Sequence, residues 1–159
     1  SAAGLELFSK GVGDTGPHHA ALTTRFLKPV PRVAEGRVLG PLASAAIDIS
    51  DGLVADLGHI CEASGCGAVI DVARIPFSPA LLALFPTEAA CAYALGGGDD
   101  YELCFTVSPA QAKAVERVMD AVGSSVRTIG RLVSGEGVTC QRDGEAFSPA
   151  SSGYVHFSS

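Results

Sequence analysis

The chemistry-bearing residues of this chain gather in short stretches, and the first is an apolar run, Ala45-Ala46-Ile47-Asp48-Ile49, that ends abruptly in Ser50-Asp51-Gly52. A strand here puts Asp48 and Ser50 on the same side and leaves Asp51 at the turn. From Leu53 a helical pattern begins, so the acids fall at a strand-to-helix turn, where backbone N–H groups favour anions. Two carboxylates facing a phosphate repel it unless a hard cation lies between them. Mg²⁺ takes one or two carboxylates together with phosphate oxygens. Asp48 and Asp51 are therefore candidate metal ligands, with Ser50 free to hydrogen-bond a phosphate. Taken alone, the stretch is more commonly a plain helix N-cap, in which Ser50 or Asp51 satisfies the free N–H groups.

The second stretch is Gly96-Gly97-Gly98-Asp99-Asp100-Tyr101-Glu102-Leu103. Three successive glycines are costly in backbone entropy, which points to an unusual turn or a close approach at that place. Two acids follow directly. The stretch is not a phosphate-cradling P-loop, because G-x-x-x-x-G-K-[ST] is absent and no lysine lies nearby. The third is Gly153-Tyr154-Val155-His156-Phe157, whose alternating aromatics suit an edge strand and in which Tyr154 can stack on a flat ring. No Cys-His or Ser-His-Asp spacing points to nucleophilic catalysis.

The elements that must position these residues follow from periodicity and punctuation. Helices are expected over Ala2 to Lys10, Pro17 to Leu27, from Pro31 to Leu39, Leu53 to Ala63 with Gly65 as cap, from Pro79 under a Ser78 cap, Thr87 to Leu95, and Pro109 to Val122. Strands are expected over Ala45 to Ile49, Ala68 to Val72, Tyr101 to Val107, Val126 to Leu132, Val138 to Gln141, Ala146-Phe147 and Tyr154 to Phe157. Asp143-Gly144 marks a hairpin. Without strict βαβ alternation, and with strands closing the chain, the expected class is α+β with a mixed, mostly antiparallel sheet packed with helices. His18 and His19 are adjacent and diverge from their helix, which favours solvent exposure over a metal pair. Lys28 and Arg32 can meet phosphate, carboxylate or water.

A chain of 159 residues, 47% hydrophobic and 18% charged, suits one globular domain with a substantial core. Its net charge of −6 gives no basic footprint for nucleic acid or for an anionic membrane surface. The five cysteines, Cys61, Cys66, Cys91, Cys104 and Cys140, include no C-x-x-C and stand in apolar surroundings. They read as buried thiols of a reducing cytoplasm. No apolar run reaches the roughly 18 residues of a membrane helix. The opening Ser1-Ala2-Ala3-Gly4-Leu5 runs at once into helical spacing and reads as a cut inside a longer protein.

Taken in order, these stretches resemble thiamine-monophosphate kinase, specifically its C-terminal domain. The matching residues are Ser1-Ala2-Ala3-Gly4-Leu5, the run Phe26-Leu27-Lys28-Pro29-Val30-Pro31-Arg32-Val33, the run from Ala45 to Leu53 with Asp56-Leu57, Gly97-Gly98-Asp99-Asp100-Tyr101-Glu102-Leu103, and Gly153-Tyr154 with His156-Phe157. Together they span essentially the whole chain, and the pair of blocks I-D-I-S-D-G-L and G-G-x-D-Y-E-L is far more specific than either alone. The resemblance implies ATP- and Mg²⁺-dependent phosphorylation of thiamine monophosphate to thiamine diphosphate, with a fold like the C-terminal domain of aminoimidazole ribonucleotide synthetase. Carried over by position, Asp48 and Asp51 are magnesium ligands and Ser50 a nucleotide contact. Asp99 stands where the family usually has a substrate-contacting glutamate, one methylene longer, and Tyr154 where an aromatic residue packs on the thiamine moiety. No catalytic residue is implied within this chain. The resemblance further implies residues 1–159 as a single C-terminal domain, an N-terminal nucleotide-binding domain absent from it, an isolated fragment without activity, and a homodimeric full-length protein. Another ATP-dependent enzyme of the superfamily and a non-catalytic ligand-binding module are the alternatives.

Overall fold

The computed structural model describes residues 1–11 and 16–148, which form seven α-helices and six strands. The first helices, α1 (Ala2–Ser9) and α2 (Pro17–Leu27), cross closely, because a Cβ on Gly4 would lie 2.2 Å from the Leu22 carbonyl oxygen. Phe8 and Phe26 meet beside that crossing, with ring centroids 6.1 Å apart. After α3 (Val33–Leu39), strand β1 (Ala45–Asp48) pairs antiparallel with β3 (Leu103–Thr106), and Asp48 stands opposite Leu103.

Helix α4 (Leu53–Ser64) carries the chain from β1 to β2 (Gly67–Asp71). Its apolar stripe of Leu53, Leu57, Ile60 and Cys61 is buried against Ala68 and Ile70 of β2, with Val72 just beyond that strand. The same core takes in Cys91 and Leu95 of α6 (Thr87–Gly96) and Cys104 of β3. The preceding α5 (Pro79–Leu84) starts as its sequence predicts, with the Ser78 hydroxyl accepting the Leu81 N–H at 3.1 Å and Pro79 in the first turn. A second, smaller core joins Leu39 of α3 to Val115 and Met119 of α7 (Ala112–Ala121).

Four strands make the larger sheet in the order β4-β2-β5-β6, where β4 is Gly130–Val133, β5 is Gly137–Arg142 and β6 is Glu145–Phe147. Only β2 and β5 run parallel; β2 with β4 and β5 with β6 are antiparallel. The α+β class with a mixed, mostly antiparallel sheet is thus observed, with the pairing divided between this sheet and the β1–β3 ribbon. Asp143 at φ 53° and Gly144 at φ 85° form the expected β5–β6 hairpin turn.

Several boundaries differ from periodicity, among them the start of α3 at Val33 and not Pro31. β3 begins at Leu103 and not Tyr101, because Asp99 and Tyr101 take φ values of 61° and 51°, outside extended backbone. β4 begins at Gly130 and not Val126; there a Cβ would stand 2.2 Å from the Val69 carbonyl oxygen, so the closest strand contact needs glycine. Pro109–Gln111 forms a separate 3₁₀ turn ahead of α7. The strand expected over Tyr154 to Phe157 lies outside the described residues. Cys61, Cys91 and Cys104 are buried, Cys66 and Cys140 partly so, and all five are free thiols. Among the described residues, no helix is long and apolar enough to cross a membrane.

Candidate functional site

The turn after β1 is held by one carboxylate. Asp56, on the first turn of α4 and only 2% exposed, turns its side chain back so that Oδ2 accepts the N–H groups of Ser50, Asp51 and Gly52 at 3.0, 3.1 and 3.1 Å. Of these, the Gly52 N–H is one that the helix start leaves unpaired, and the other two belong to the turn ahead of it. Neither Ser50 nor Asp51 is therefore needed as a cap: Gly52 is the N-cap, without a side-chain bond. Asp51 is left exposed, and Ser50 half-exposed, at the mouth of the turn.

The glycine-rich stretch folds directly onto this turn. Past the end of the β1–β3 pairing the two segments keep exchanging backbone bonds: Ile49 N–H to the Glu102 carbonyl, Tyr101 N–H to the Ile49 carbonyl, and Asp99 N–H to the Ser50 carbonyl, each at 2.8 Å. A Cβ on Gly98 would lie 2.4 Å from the Ser50 oxygen, and one on Gly97 would lie 2.4 Å from the Tyr93 oxygen. Gly52, at φ 123°, would bring a Cβ to 3.0 Å from the Gly96 carbonyl carbon. The close approach that the three glycines foretold is this one.

Acidic side chains consequently collect at one corner. The Tyr101 hydroxyl donates to Asp99 Oδ1 at 3.1 Å. Its pKa is pushed up first by that bond and by the Asp99 charge, with Asp48 and Asp51 adding to the effect. Among the described residues, Asp51, Asp56 and His59 bring potential ligand atoms within 4.8 Å of one another. Asp48, at the exposed end of β1, is not in that set. Tyr154 lies outside the described residues.

A basic brace stands behind the acids. Glu102 accepts from Arg25, and from Arg32 through Nε at 3.0 Å and a terminal nitrogen at 2.8 Å. Arg25 also donates to the Asp100 carbonyl at 3.0 Å. The Arg32 pKa is raised, chiefly by its bond to Glu102, and Arg32 also pairs with Glu35 at 3.5 Å. Ser124 donates to Glu35 at 2.6 Å, and that bond leads the lowering of the Glu35 pKa. Arg32 is thus committed to carboxylates. His18 is exposed as expected, while His19 is only partly so, and its Nε2 is buried without a hydrogen-bond partner.

Sequence alone points to Asp48, Ser50, Asp51 and Asp99 and gives no role to Asp56, His59 or Glu102. For Asp56 a signal was present: an acid four residues after Gly52 sits where one helical turn brings it back over the free N–H groups. For Glu102 there was none, since Arg25 and Arg32 are distant in sequence.

The chain matches the family described as AIR synthase related protein, C-terminal domain, over residues 4–143. The thiamine-monophosphate kinase of Escherichia coli (strain K12) is 46% identical over 137 residues, covering 86% of this chain and 42% of that protein. The thiamine-monophosphate kinase of Salmonella typhimurium (strain LT2) is 42% identical, covering 99% of this chain and 49% of that one. Among solved structures, thiamine-monophosphate kinase from Stenotrophomonas maltophilia K279a superposes with a TM-score of 0.83 at 41% identity, over 92% of this chain and 48% of that one. AaThiL complexed with AMPPCP and TMP superposes with a TM-score of 0.78 at 33% identity, over 99% of this chain and 48% of that one. These are the proteins whose motifs the sequence resembles, and this chain spans about half the length of the curated relatives it matches. Matched from Gly4 to Asp143, the chain belongs to the AIR synthase related family, whose C-terminal domain it forms.

Proposed function

We propose that this chain is the C-terminal domain of a thiamine-monophosphate kinase and supplies that part of the active site in the ATP- and Mg²⁺-dependent conversion of thiamine monophosphate to thiamine diphosphate. The observation that carries the reading is the docking of the Gly98-Asp99 loop on the Ser50-Asp51 turn through the 2.8 Å bond from Asp99 N–H to the Ser50 carbonyl. It sets the nucleotide-side residues and the substrate-side residue of the implied site against each other. The likeness to AaThiL, whose structure holds AMPPCP and TMP, supports the choice of ligands.

The acids fit the implied metal. Their charges act together on the Tyr101 phenol, and exposed carboxylate oxygens are the donors that Mg²⁺ prefers. Asp48 and Asp51 are the residues to hold it. When bound, Mg²⁺ neutralises phosphate oxygens, which is most of what phosphoryl transfer asks of a site. Ser50 contacts the nucleotide, and Asp56 holds the backbone of the turn in place for it. Asp99, steadied by the Tyr101 hydroxyl, faces the thiamine monophosphate, and Tyr154 packs on its ring. With no general base among these residues, the contribution of the domain is to hold two anionic reactants in position. A nucleotide-binding N-terminal domain completes the site, and the whole protein is a homodimer working in the cytoplasm.

The test is a chimera in which residues 1–159 replace the homologous C-terminal part of the Escherichia coli kinase. Residues 1–159 alone form no thiamine diphosphate from thiamine monophosphate, ATP and Mg²⁺, whereas the folded chimera forms it and loses that activity in Asp48→Ala and Asp51→Ala. A folded but inactive chimera, or one indifferent to both substitutions, overturns the proposal and leaves a ligand-binding module.

A further inference from the structure

Two cysteines that take no part in this site stand together at the far end of α4. Gly65, at φ 62°, ends the helix in the left-handed conformation. The Cys66 N–H reaches back to the Cys61 carbonyl at 3.1 Å, and the Gly65 N–H to the Glu62 carbonyl at 3.3 Å. These are the paired bonds of a Schellman helix end, in which the residue after the glycine packs on the residue five before it. Here both of those residues are cysteine.

The backbone bond also limits how far apart they can be. From Cα of Cys61 through its carbonyl oxygen and the Cys66 nitrogen to the next Cα, the path is at most roughly 7 Å, and any bend brings it into the roughly 4.4–6.8 Å span of disulfides. The two thiols are close enough that Cys66, after burial, contributes to holding the Cys61 thiol protonated. Cys61 is 1% exposed, whereas Cys66, at the edge of the same core, is only partly buried.

We propose that Cys61 and Cys66 are a redox modification site, forming a reversible disulfide across the C-terminal end of α4 with small disulfides of the glutathione class as oxidant. The Cys66 thiolate attacks one sulfur of the small disulfide, which releases one thiolate to take up a proton from water. Cys61 gives its proton to solvent and attacks the Cys66 sulfur of the mixed disulfide, expelling the second small thiolate. Two protein thiols are oxidised and one small disulfide is reduced to two thiols, with no other reactant. The order follows from exposure: the accessible sulfur captures the oxidant, and the buried one resolves it.

The experiment is peptide mapping of residues 1–159 after incubation with oxidised glutathione, alkylation of remaining thiols and trypsin digestion without reductant. Val38 to Arg74 is one tryptic peptide and contains Cys61, Cys66 and no other cysteine. The expected product is that peptide lighter by two hydrogens and unalkylated, returning to the dithiol with phosphine reductant. In Cys66→Ser the product is abolished, and in Cys61→Ser it is replaced by a lasting glutathione adduct on Cys66. Should Cys61→Ser fail to fold by circular dichroism, Cys66→Ser alone still decides the matter. An unchanged dithiol in the native protein overturns the proposal, as does a persistent glutathione adduct in the wild type or a bond to the peptide carrying Cys104.

Discussion

Gly98 rests directly on the carbonyl of Ser50: a Cβ at residue 98 would stand 2.4 Å from that oxygen. Every L-residue but glycine must therefore push the 96–102 loop away from the turn that carries Asp51. Gly98→Ala is expected to cost about 1–3 kcal/mol, the usual range for forcing an extra carbon into a packed place. A urea denaturation midpoint reads the loss. Gly65→Ala is the control of opposite kind: nothing lies within 4 Å of its would-be Cβ, so only the φ of 62° resists the change and the cost is about 1 kcal/mol. Equal midpoints for Gly98→Ala and the wild type would mean that the two loops are not in contact.

Asp56 is the positioning residue of the turn, since one oxygen serves three backbone donors. Asp56→Ala leaves those N–H groups without their partner beside a buried helix start, at a cost of about 3 kcal/mol. Asp56→Asn keeps one acceptor oxygen and loses the charge, and is expected to cost less than half as much. In the chimeric kinase, Asp56→Asn should weaken nucleotide affinity more than it lowers the melting temperature would explain, because the turn it holds presents Ser50 and Asp51. A variant that loses stability with unaltered nucleotide affinity would confine Asp56 to a structural part.

Local signals carried much of this fold into the sequence. The apolar stripe from Leu53 to Cys61, the Ser78-Pro79 helix start and the Asp143-Gly144 hairpin each depend on neighbours within a few residues, and each is found as read. Long-range consequences were only half legible. Gly96-Gly97-Gly98 announced a close approach without saying to what, because the partner, Ser50, lies far back in the chain and joins it only through the β1–β3 pairing. Tyr101 looks like a strand residue by type. Its left-handed φ comes from the bonds that tie Asp99 and Tyr101 to Ser50 and Ile49, which outweigh its β propensity. Glu102, between Arg25 and Arg32, is legible in no local pattern, since its partners come from the last turn of α2 and from the turn before α3.

Cys104 gives the fold a dependence on alkaline pH. Its thiol stands 8% exposed in the main core, and burial first, then the nearby Asp56 charge, pushes its pKa from 9.0 up to about 11. The fold thus favours the neutral thiol over the thiolate. Its contribution is complete below the unfolded value of 9.0 and is lost as pH climbs towards 11. Two pKa units correspond to roughly 2–3 kcal/mol at full loss. Urea midpoints measured from neutral pH upward should fall through this window in the wild type. In Cys104→Ala the baseline is lower, but the decline should be shallower, leaving the Tyr93 phenol, which burial and Glu6 hold up to about 12, together with Cys61, Cys140 and Tyr101, whose pKa values the fold also raises. Native-state alkylation gives an independent reading: only the thiolate reacts, so Cys104 should resist iodoacetamide near its unfolded pKa while a urea-unfolded sample is modified. Equal rates in the two states, or an identical pH dependence in Cys104→Ala, would show that the buried thiol is not what the core protects.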